Sequence, residues 1–288
     1  EMVWDTADAG FTAIKNAFLA SGLIALKILD KAGGQGPDGD FAITSFSRNE
    51  ALEEAITTRD AKCALSTLMN FVVLHQTVIG LEAQGQLERL RVQPDVVIGA
   101  TGGGTSFAGL CLPFLRRRLA GEPLRLVAAE AAACSSLTRG AYAYDFADAV
   151  GLSPLVKMYT LGHSYAPPTI EAGGMRYHGM SPIVSALYAH GLVEAVAVGQ
   201  RAALEAAVLF ARTEGVLVAP EAAYCVQAVV QEALRCKERG EERTILFAVN
   251  AHGHFNLSAY EAYLAELVED VAPDEEAVAR SLRELPPV

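Results

Sequence analysis

The sequence predicts an α/β fold in which a mostly parallel sheet is flanked by helices. Short apolar segments alternate with longer segments whose apolar residues recur at helical spacing. Parallel strands need a long crossover connection, which is usually a helix, so this alternation favours a parallel sheet. The predicted strands are residues 96–98, 124–130, 193–198 and 244–250.

Helices are predicted on both sides of these strands. Helical spacing covers residues 9–32, 49–58 and 65–90, and a glycine-rich loop occupies residues 33–40. Residues 132–168 are predicted to be irregular. The later helices are predicted at residues 181–190, 200–213 and 220–237, followed by a last helix that ends near residue 271. Pro220 suits the first turn of its helix, where a missing N–H is not needed.

The composition of the chain argues against two classes of partner. Its 23 basic and 34 acidic residues give a net charge of −11, so we expect no nucleic acid or anionic membrane as a partner. Charged residues or histidine interrupt every apolar run before about 18 residues, the length that a membrane-spanning helix needs.

The five cysteines show no CxxC spacing, and the first residues do not resemble a signal peptide. We therefore expect a cytoplasmic protein with reduced thiols.

The most informative stretch is PDVVIGATGGGTSFAGL, residues 94–110. An apolar strand leads into three consecutive glycines, and a helix is predicted to follow. Glycine has no Cβ, so the backbone can approach a ligand, and the helix N-terminus adds free N–H groups and a positive dipole end. The stretch predicts a site for a phosphate-sized anion, although an ordinary glycine-rich turn is the alternative. The residues of the site would be Gly102, Gly103, Gly104, Thr105 and Ser106.

Two nucleotide-binding motifs do not fit this stretch. Residues 99–106 have the spacing of a P-loop, but Thr105 stands where that motif needs a lysine for the outer phosphates. The dinucleotide fingerprint fails because no third glycine follows Gly104 at the required spacing. The stretch is therefore predicted to bind a single phosphate.

Histidines and tyrosines supply further candidates. His178 lies in a glycine-flanked loop, where it could line an active site, transfer a proton or pack the loop. Tyr177 is assigned with it to the substrate side, although loop packing is the favoured role of the tyrosines as a group. His252 and His254 are separated by one residue and have no evident third ligand, so a structural role is favoured over a metal site.

Several segments together resemble one enzyme family. They are LHQTVIGLEAQ (74–84), GGGTSFAGL (102–110), YDFADAVGLSPLVKMYTLG (144–162), AGGMRYHGMSP (172–182), EGVLVAPEAA (214–223) and HGHFNLSAYE (252–261). Their order and spacing are similar to those of the tryptophan synthase beta chain family, in its stand-alone beta-like branch. The resemblance implies a pyridoxal phosphate-dependent enzyme of fold type II, with pyridoxal 5′-phosphate as cofactor.

The resemblance also implies roles for individual residues. The glycine stretch, from Gly102 to Ser106, would hold the cofactor phosphate, and Glu221 would lie near the cofactor ring. The family's Ser-Gly-His-Gly reads Asn250-Ala251-His252-Gly253 here, so Asn250 would meet the pyridine nitrogen. A neutral partner leaves that nitrogen unprotonated, as the family's β-elimination chemistry requires. A monovalent cation site would use backbone carbonyls and leave no pattern in the sequence.

The chain departs from the family at its beginning. We find neither the Gly-Ser-His-Lys segment, whose lysine forms the Schiff base, nor the Glu-Thr-Gly-Ala-Gly-Gln loop, which binds the substrate carboxylate and supplies the acidic catalytic residue. Lys15 lacks the Gly-Ser-His before it and is not expected to replace that lysine. Three explanations are open: the lysine is on a separate polypeptide, the chain is a degenerate homologue, or it is a piece of a longer protein.

We favour the separate polypeptide because the phosphate site, Glu221 and Asn250 all remain suited to the cofactor. The expected function is then a heteromeric lyase or synthase catalysing β-elimination or β-replacement on serine or a related amino acid. A lysine-bearing complementary subunit and homodimerisation are the expected assemblies. The alternative is a non-catalytic regulatory subunit that binds an active homologue.

The domain division follows from the same resemblance. Residues 1–62 are expected to be a helical remnant of the smaller N-terminal, or communication, domain. Residues 63–271 would form the α/β domain that binds the cofactor phosphate. Residues 272–288 would form an acidic, loosely packed C-terminal tail.

Overall fold

The computed structural model of the chain describes residues 2–4, 26–28, 56–57 and 68–287. The chain divides into two compact units, one of residues 1–65 and 146–155, the other of residues 66–145 and 156–288. This division differs from the one predicted at residues 62 and 271, which stays a prediction.

The described residues of the smaller unit include two short strands. β1 (Met2–Trp4) pairs in parallel with β2 (Leu26–Ile28). β2 contradicts the predicted helix over residues 9–32 at these positions, because Leu26 and Ile28 alternate around Lys27 and also suit a strand. Within residues 146–155, the Asp148 carboxylate accepts hydrogen bonds from the N–H groups of Val150, Leu152 and Ser153. These bonds hold the pKa of Asp148 below its usual value despite partial burial.

The larger unit alternates helices and strands. In chain order it contains α1 (Asn70–Gln76), α2 (Val78–Leu90), β3 (Val96–Thr101), α3 (Thr105–Leu119), β4 (Arg125–Ala131), α4 (Ser136–Arg139), β5 (Ala141–Phe146), β6 (Leu155–Thr160), α5 (Pro182–Ala189), β7 (Glu194–Val198), α6 (Gln200–Glu214), α7 (Pro220–Arg239), β8 (Ile245–Phe247), α8 (Leu257–Leu264) and α9 (Glu275–Arg283). β5 ends at Phe146 and β6 begins at Leu155, which are the first and last residues of the segment 146–155.

The central sheet has the strand order β7-β4-β3-β8 and is parallel throughout. Every residue of β3 is buried, as expected for a parallel strand covered on both faces. Successive side chains of a strand point to opposite faces, and the core divides accordingly. Val97 packs with Phe107 of α3 on one face, and Ile98 packs with Tyr224 of α7 on the other. The predicted α/β fold with a parallel sheet is confirmed.

Several predicted elements differ in detail. The predicted helix over residues 65–90 is interrupted at Thr77, whose hydroxyl donates to the carbonyl oxygen of Leu74 (2.6 Å). The predicted irregular segment 132–168 contains the two-stranded sheet β5-β6. In that sheet Tyr142 stacks on Tyr159, with ring centroids 5.0 Å apart. This pair is formed across strands, which is why the periodicity of either segment alone does not reveal it.

The prediction of a loosely packed tail is wrong. α9 begins after Asp274, whose carboxylate accepts hydrogen bonds from the N–H groups of Glu276 and Ala277 (both 3.0 Å). Val278 on this helix packs against Leu161 and Tyr165. The tail is therefore a capped helix with a buried face. Among the described residues, no helix has the length and apolar character needed to cross a membrane.

Candidate functional site

The glycine turn, defined here as Gly102 to Ser106, joins β3 to α3 at the carboxyl edge of the sheet. Gly104 has a φ of +90°, a conformation that favours glycine. A Cβ at Gly102 would overlap the carbonyl oxygen of Gly174, and one at Gly104 would lie 2.6 Å from the Met180 sulfur. Close packing and backbone conformation therefore both require glycine here.

The N–H groups of this turn are not used within the protein. Across the described ranges, the backbone N–H groups of Gly103, Gly104, Thr105 and Ser106 donate no hydrogen bond to another residue. The hydroxyls of Thr105 and Ser106 make none either, and both residues are half-buried. These donors converge at the N-terminus of a 15-residue helix, where the dipole favours an anion. The predicted phosphate site is therefore present as a set of uncommitted donors.

The segment from Gly173 to Ser181 runs beside the glycine turn. Its Ser181 N–H donates to the carbonyl oxygen of Gly103 (2.9 Å), and its Gly174 carbonyl packs on Gly102. Tyr177 and His178 lie in this segment with stacked rings 5.1 Å apart. Both are buried, at 8% and 7% exposure. The structure brings their backbone to the site, and their assignment to the substrate side stays a prediction.

Glu221 is connected to the glycine turn through Gly174. It is the second residue of α7, and its Oε1 accepts a hydrogen bond from the Gly174 N–H (3.1 Å). The carbonyl of Gly174 packs on Gly102. Gly174 therefore connects the Glu221 carboxylate to the glycine turn. The Oε2 atom makes no hydrogen bond within the described part of the chain, so it can accept one from a ligand.

Asn250 follows β8, the strand that pairs with β3. Phe247 pairs with Ile98, and Asn250 lies three residues further along its strand direction, as Thr101 does along β3. The Oδ1 atom of Asn250 is buried and has no hydrogen-bond partner among the described residues. A buried carbonyl oxygen without a partner is costly, so Oδ1 of Asn250 is suited to accept a hydrogen bond from a ligand.

The turn after Asn250 packs against the approach to Glu221. The Gly253 N–H donates to the carbonyl oxygen of Leu217 (3.2 Å), and a Cβ at Gly253 would overlap the carbonyl of Val218. Leu217 and Val218 lead directly into α7. Two sheet-edge turns, the glycine turn and the turn after Asn250, therefore both contact segments that hold Glu221.

His252 and His254 contact one another in the same turn. Their ring centroids are 4.6 Å apart, and Nδ1 of His252 accepts from the backbone N–H of His254 (3.3 Å). Within the described ranges no group of three His, Cys, Asp or Glu side chains could hold a metal ion. The bond of His252 to the backbone gives this histidine a role in shaping the turn.

Comparison with known families identifies the family of this chain. Residues 42–250 match the family described as pyridoxal-phosphate dependent enzymes. The chain belongs to this family. The uncommitted donors of the glycine turn suit the cofactor phosphate, and the unpartnered amide of Asn250 suits a ring heteroatom. The residues present therefore fit the cofactor of the family.

Individual relatives narrow the resemblance within the family. The chain is 54% identical over 220 residues to tryptophan synthase beta chain 2 of Aquifex aeolicus, covering 75% of this chain and 51% of that one. It is 50% identical over 222 residues to tryptophan synthase beta chain 2 of Methanosarcina mazei, covering 77% and 50%. The chain thus spans about half the length of the curated relatives it matches. The predicted resemblance to tryptophan synthase beta chains is confirmed.

A solved structure supports the fold. The crystal structure of a fungal L-serine ammonia-lyase from Rhizomucor miehei matches with a TM-score of 0.63 and 16% identity, covering 92% of this chain and 74% of that one. At this identity the match shows the fold alone. Together with the family match, it confirms the predicted pyridoxal phosphate-dependent fold type II.

Glu130 stands at the same sheet edge as the site of this pyridoxal-phosphate family, but it is not available to a ligand. It pairs in register with Thr101 and is 1% exposed. Its carboxylate accepts hydrogen bonds from the N–H groups of Leu137 (2.7 Å) and Thr138 (3.1 Å) and from the Thr138 hydroxyl (3.0 Å). Burial raises the pKa of Glu130 to about 7 although these bonds oppose the shift. Glu130 therefore anchors α4.

Two lysines lie within residues 68–287, and other parts of the structure account for the position of each. The lysines of this range are Lys157 and Lys237. The ammonium of Lys157 lies 5.0 Å from the centroid of the Tyr142 ring. Lys237 is in the last turn of α7, about 24 Å along the helix from Glu221 at 1.5 Å per residue. Lys15 lies outside the described residues, so it stays a prediction that Lys15 does not form the Schiff base.

Proposed function

We propose that this chain is one subunit of a heteromeric pyridoxal phosphate-dependent enzyme of the tryptophan synthase beta type. Its reaction would be β-elimination or β-replacement on serine or a related amino acid. The observation that carries the proposal is the pairing of uncommitted N–H donors at the glycine turn with the unpartnered Oδ1 of Asn250. Both lie at the carboxyl edge of the sheet, where such folds bind ligands.

The glycine turn would bind and orient the cofactor. Its backbone donors and the hydroxyls of Thr105 and Ser106 match the three peripheral oxygens of a phosphate group. The cofactor, when bound, supplies an electron sink for carbanion chemistry. The protein contributes the anchor that fixes its position.

Asn250 would recognise the ring nitrogen without charging it. An amide can donate through Nδ2 or accept through Oδ1, and it carries no charge in either orientation. A carboxylate in its place would stabilise a protonated pyridine. The neutral partner therefore favours elimination and replacement over reactions that need a strongly electron-withdrawing ring.

Glu221 would serve as a positioning residue for the site. Its Oε1 holds the Gly174 N–H, and Gly174 in turn packs on Gly102. Oε2 remains able to accept a hydrogen bond from a bound ligand. Loss of the carboxylate would free the 173–175 turn and loosen one wall of the phosphate site.

The reacting lysine would come from another polypeptide. Within residues 68–287 the Lys157 ammonium lies over the Tyr142 ring and Lys237 lies at the opposite end of α7 from Glu221, although groups suited to the phosphate and the ring are present. The relatives are named tryptophan synthase beta chains. Serine as donor and indole as acceptor, giving tryptophan and water, are therefore the substrates to test first.

A complementation experiment tests this proposal. The full chain is mixed with the amino-terminal half of the Aquifex aeolicus relative in the presence of pyridoxal 5′-phosphate, serine and indole. We expect the mixture, and neither part alone, to show the visible absorbance band of lysine-bound cofactor and to form tryptophan. A borohydride-reducible adduct at Lys15 in the chain alone would refute the separate lysine subunit.

The second candidate is a non-catalytic subunit that binds an active homologue. The observation that favours it is the Asn250-Ala251 sequence where the family has Ser-Gly, because Ala251 has a φ of +62° that suits glycine better. Under this alternative the mixture would form a complex by light scattering but would show neither the absorbance band nor tryptophan. The same measurement reports whether the chain also forms homodimers, as we propose.

A further inference from the structure

A cavity lies at the amino edge of the sheet. Its volume is about 490 Å³, within the range of small-molecule sites. Its walls include Val96 and Arg125, the first residues of β3 and β4, and the last turns of α7. β3 runs from this cavity to the glycine turn over about 17 Å at 3.3 Å per residue, so the two sites are at opposite ends of the same strand.

Positive charge is concentrated around this cavity although the chain carries a net charge of −11. The arginines in its walls are Arg118, Arg125, Arg235, Arg239 and Arg243. The carboxylates in its walls are those of Asp95, Glu232 and Glu241, and Glu194 pairs with Arg125 beside it. The arginines outnumber these carboxylates, which is an unusual local balance for an acidic protein.

Three of the arginines are paired within the protein. Arg125 donates to both oxygens of Glu194 (2.9 and 2.7 Å) and to Glu232 (2.5 Å). Arg235 bonds the second oxygen of Glu232 (2.7 Å), which is 4% exposed. Arg243 pairs with Glu241 (3.2 Å). Arg243 also pairs with Asp95 (3.6 Å), so this network sets three arginines against four carboxylates and fixes one wall of the cavity.

The other two arginines are uncommitted. In the part of the chain that the structure describes, the side chains of Arg118 and Arg239 make no salt bridge and no hydrogen bond, although the charge of Arg118 helps to lower the pKa of Glu194. Arg118 is half-buried near the end of α3, and Arg239 is the exposed last residue of α7. The planar guanidinium fork matches the oxygens of a phosphate group, so two such groups in one cavity make a suitable pair of clamps.

We propose that this arginine cavity binds a phosphate group, either free inorganic phosphate or the phosphate of a small ester, through Arg118 and Arg239. The cavity exceeds the volume of one phosphate, so a small organic ester would also fit. The site does not depend on the cofactor, since none of its walls belongs to the glycine turn.

Calorimetric titration of the full chain with inorganic phosphate, and separately with glucose 6-phosphate, tests this site. The test variant is Arg118→Gln with Arg239→Gln. The matched control is Arg212→Gln with Lys237→Gln, which removes the same charge from exposed positions outside the cavity walls. We expect the test variant to lose affinity by about tenfold or more, and the control to keep it, because charge-assisted hydrogen bonds are lost only in the former.

Binding at the glycine turn is common to all these proteins, so the difference between them reports the arginine cavity alone. Arginine-dependent affinity for inorganic phosphate only would identify the free ion as ligand, and stronger affinity for the ester would identify a phosphorylated metabolite. Identical titrations of the wild-type chain and the test variant would refute the proposal. If the double variant fails to fold, Arg239→Gln alone removes an exposed side chain and should still weaken binding several-fold.

Discussion

The carboxyl ends of β4 and β8 offer a direct comparison, because both strands pair with β3. Glu130 is the next-to-last residue of β4, and its buried carboxylate is saturated by donors from residues 137 and 138. β8 leads to Asn250, whose buried Oδ1 has no partner among the described residues. Both are polar residues at the edge where α/β folds bind ligands, yet only one of them is available to a ligand.

The difference shows that position at the edge does not define a site. A buried polar atom that is satisfied by the protein stabilises the fold, whereas one that is left unsatisfied costs free energy until a ligand pairs with it. Substitutions should therefore separate the two residues: changes at Glu130 should alter stability, and changes at Asn250 should alter binding.

The largest expected effect is on stability at Glu130. Glu130→Ala leaves the buried N–H group of Leu137 and the partly buried N–H group of Thr138 without an acceptor and opens a cavity, so we expect a loss of about 3 kcal/mol or more. Denaturant unfolding of the full chain measures it. Glu122→Ala is the matched control, since this carboxylate is 44% exposed in its pair with Arg117 and should contribute less than about 1 kcal/mol. Equal losses in the two variants would contradict the role of Glu130.

The stability of the chain should also depend on pH through Glu130. Its folded-state pKa is raised from 4.5 to about 7, so the folded chain holds a proton that the unfolded chain has lost. Its contribution is present below pH 4.5 and is lost as the pH rises to 7, a change of about 3 kcal/mol. The free energy of unfolding should depend less steeply on pH across this range in Glu130→Gln, because glutamine keeps the size of the side chain and does not titrate. An unchanged slope in that variant would assign the dependence elsewhere.

Asn250 should give the opposite pattern. Asn250→Ala removes an unpartnered polar atom, so we expect stability to change by less than about 1 kcal/mol. The same change should weaken the binding of pyridoxal 5′-phosphate by about tenfold, because one hydrogen bond to the ring is lost. Equilibrium dialysis measures the affinity. Strong destabilisation with unchanged cofactor affinity would make Asn250 a structural residue.

The smallest expected effect concerns the residue after Asn250. Ala251 has a φ of +62°, which disfavours residues with a Cβ. Ala251→Gly should therefore stabilise the chain by about 0.5–1 kcal/mol, with the gain limited by the greater freedom of glycine in the unfolded chain. Ala265→Gly is the control, because its φ of −83° suits alanine and no gain is expected. A loss of stability in Ala251→Gly would show that the turn is not strained.

The sequence predicts the sheet and the phosphate turn, but it does not predict which polar residue at the sheet edge has hydrogen-bond partners. The apolar segments and the GGGTS stretch located the sheet and the phosphate turn, because both depend on local residue types and spacing. The position of Asn250 at the end of the last predicted strand follows from the sequence pattern, but its role at the cofactor ring follows only from the resemblance to a family. Whether each residue has hydrogen-bond partners depends on tertiary packing. Glu130 is satisfied by two N–H groups of α4 and by the Thr138 hydroxyl, which the fold brings to the end of β4.

Elements that depend on long-range contacts were missed for the same reason. The β5-β6 sheet is held by pairs such as Tyr142 with Tyr159, which no single segment reveals. The tail could have been recognised as a helix, because Asp274 precedes two acidic residues and Val278 and Leu282 recur at helical spacing. Its burial against Leu161 and Tyr165 could not.

The affinity of the full chain for pyridoxal 5′-phosphate, compared with its affinity for pyridoxal, tests the central claim most directly. The glycine turn can hold the phosphate only of the former, so we expect one pyridoxal 5′-phosphate per chain and binding of pyridoxal weaker by about 100-fold. The ratio should persist in the Arg118→Gln, Arg239→Gln variant, which excludes the arginine cavity as its source. Equal affinities for the two compounds, or a ratio that disappears in that variant, would contradict the assignment of the glycine turn as the phosphate site.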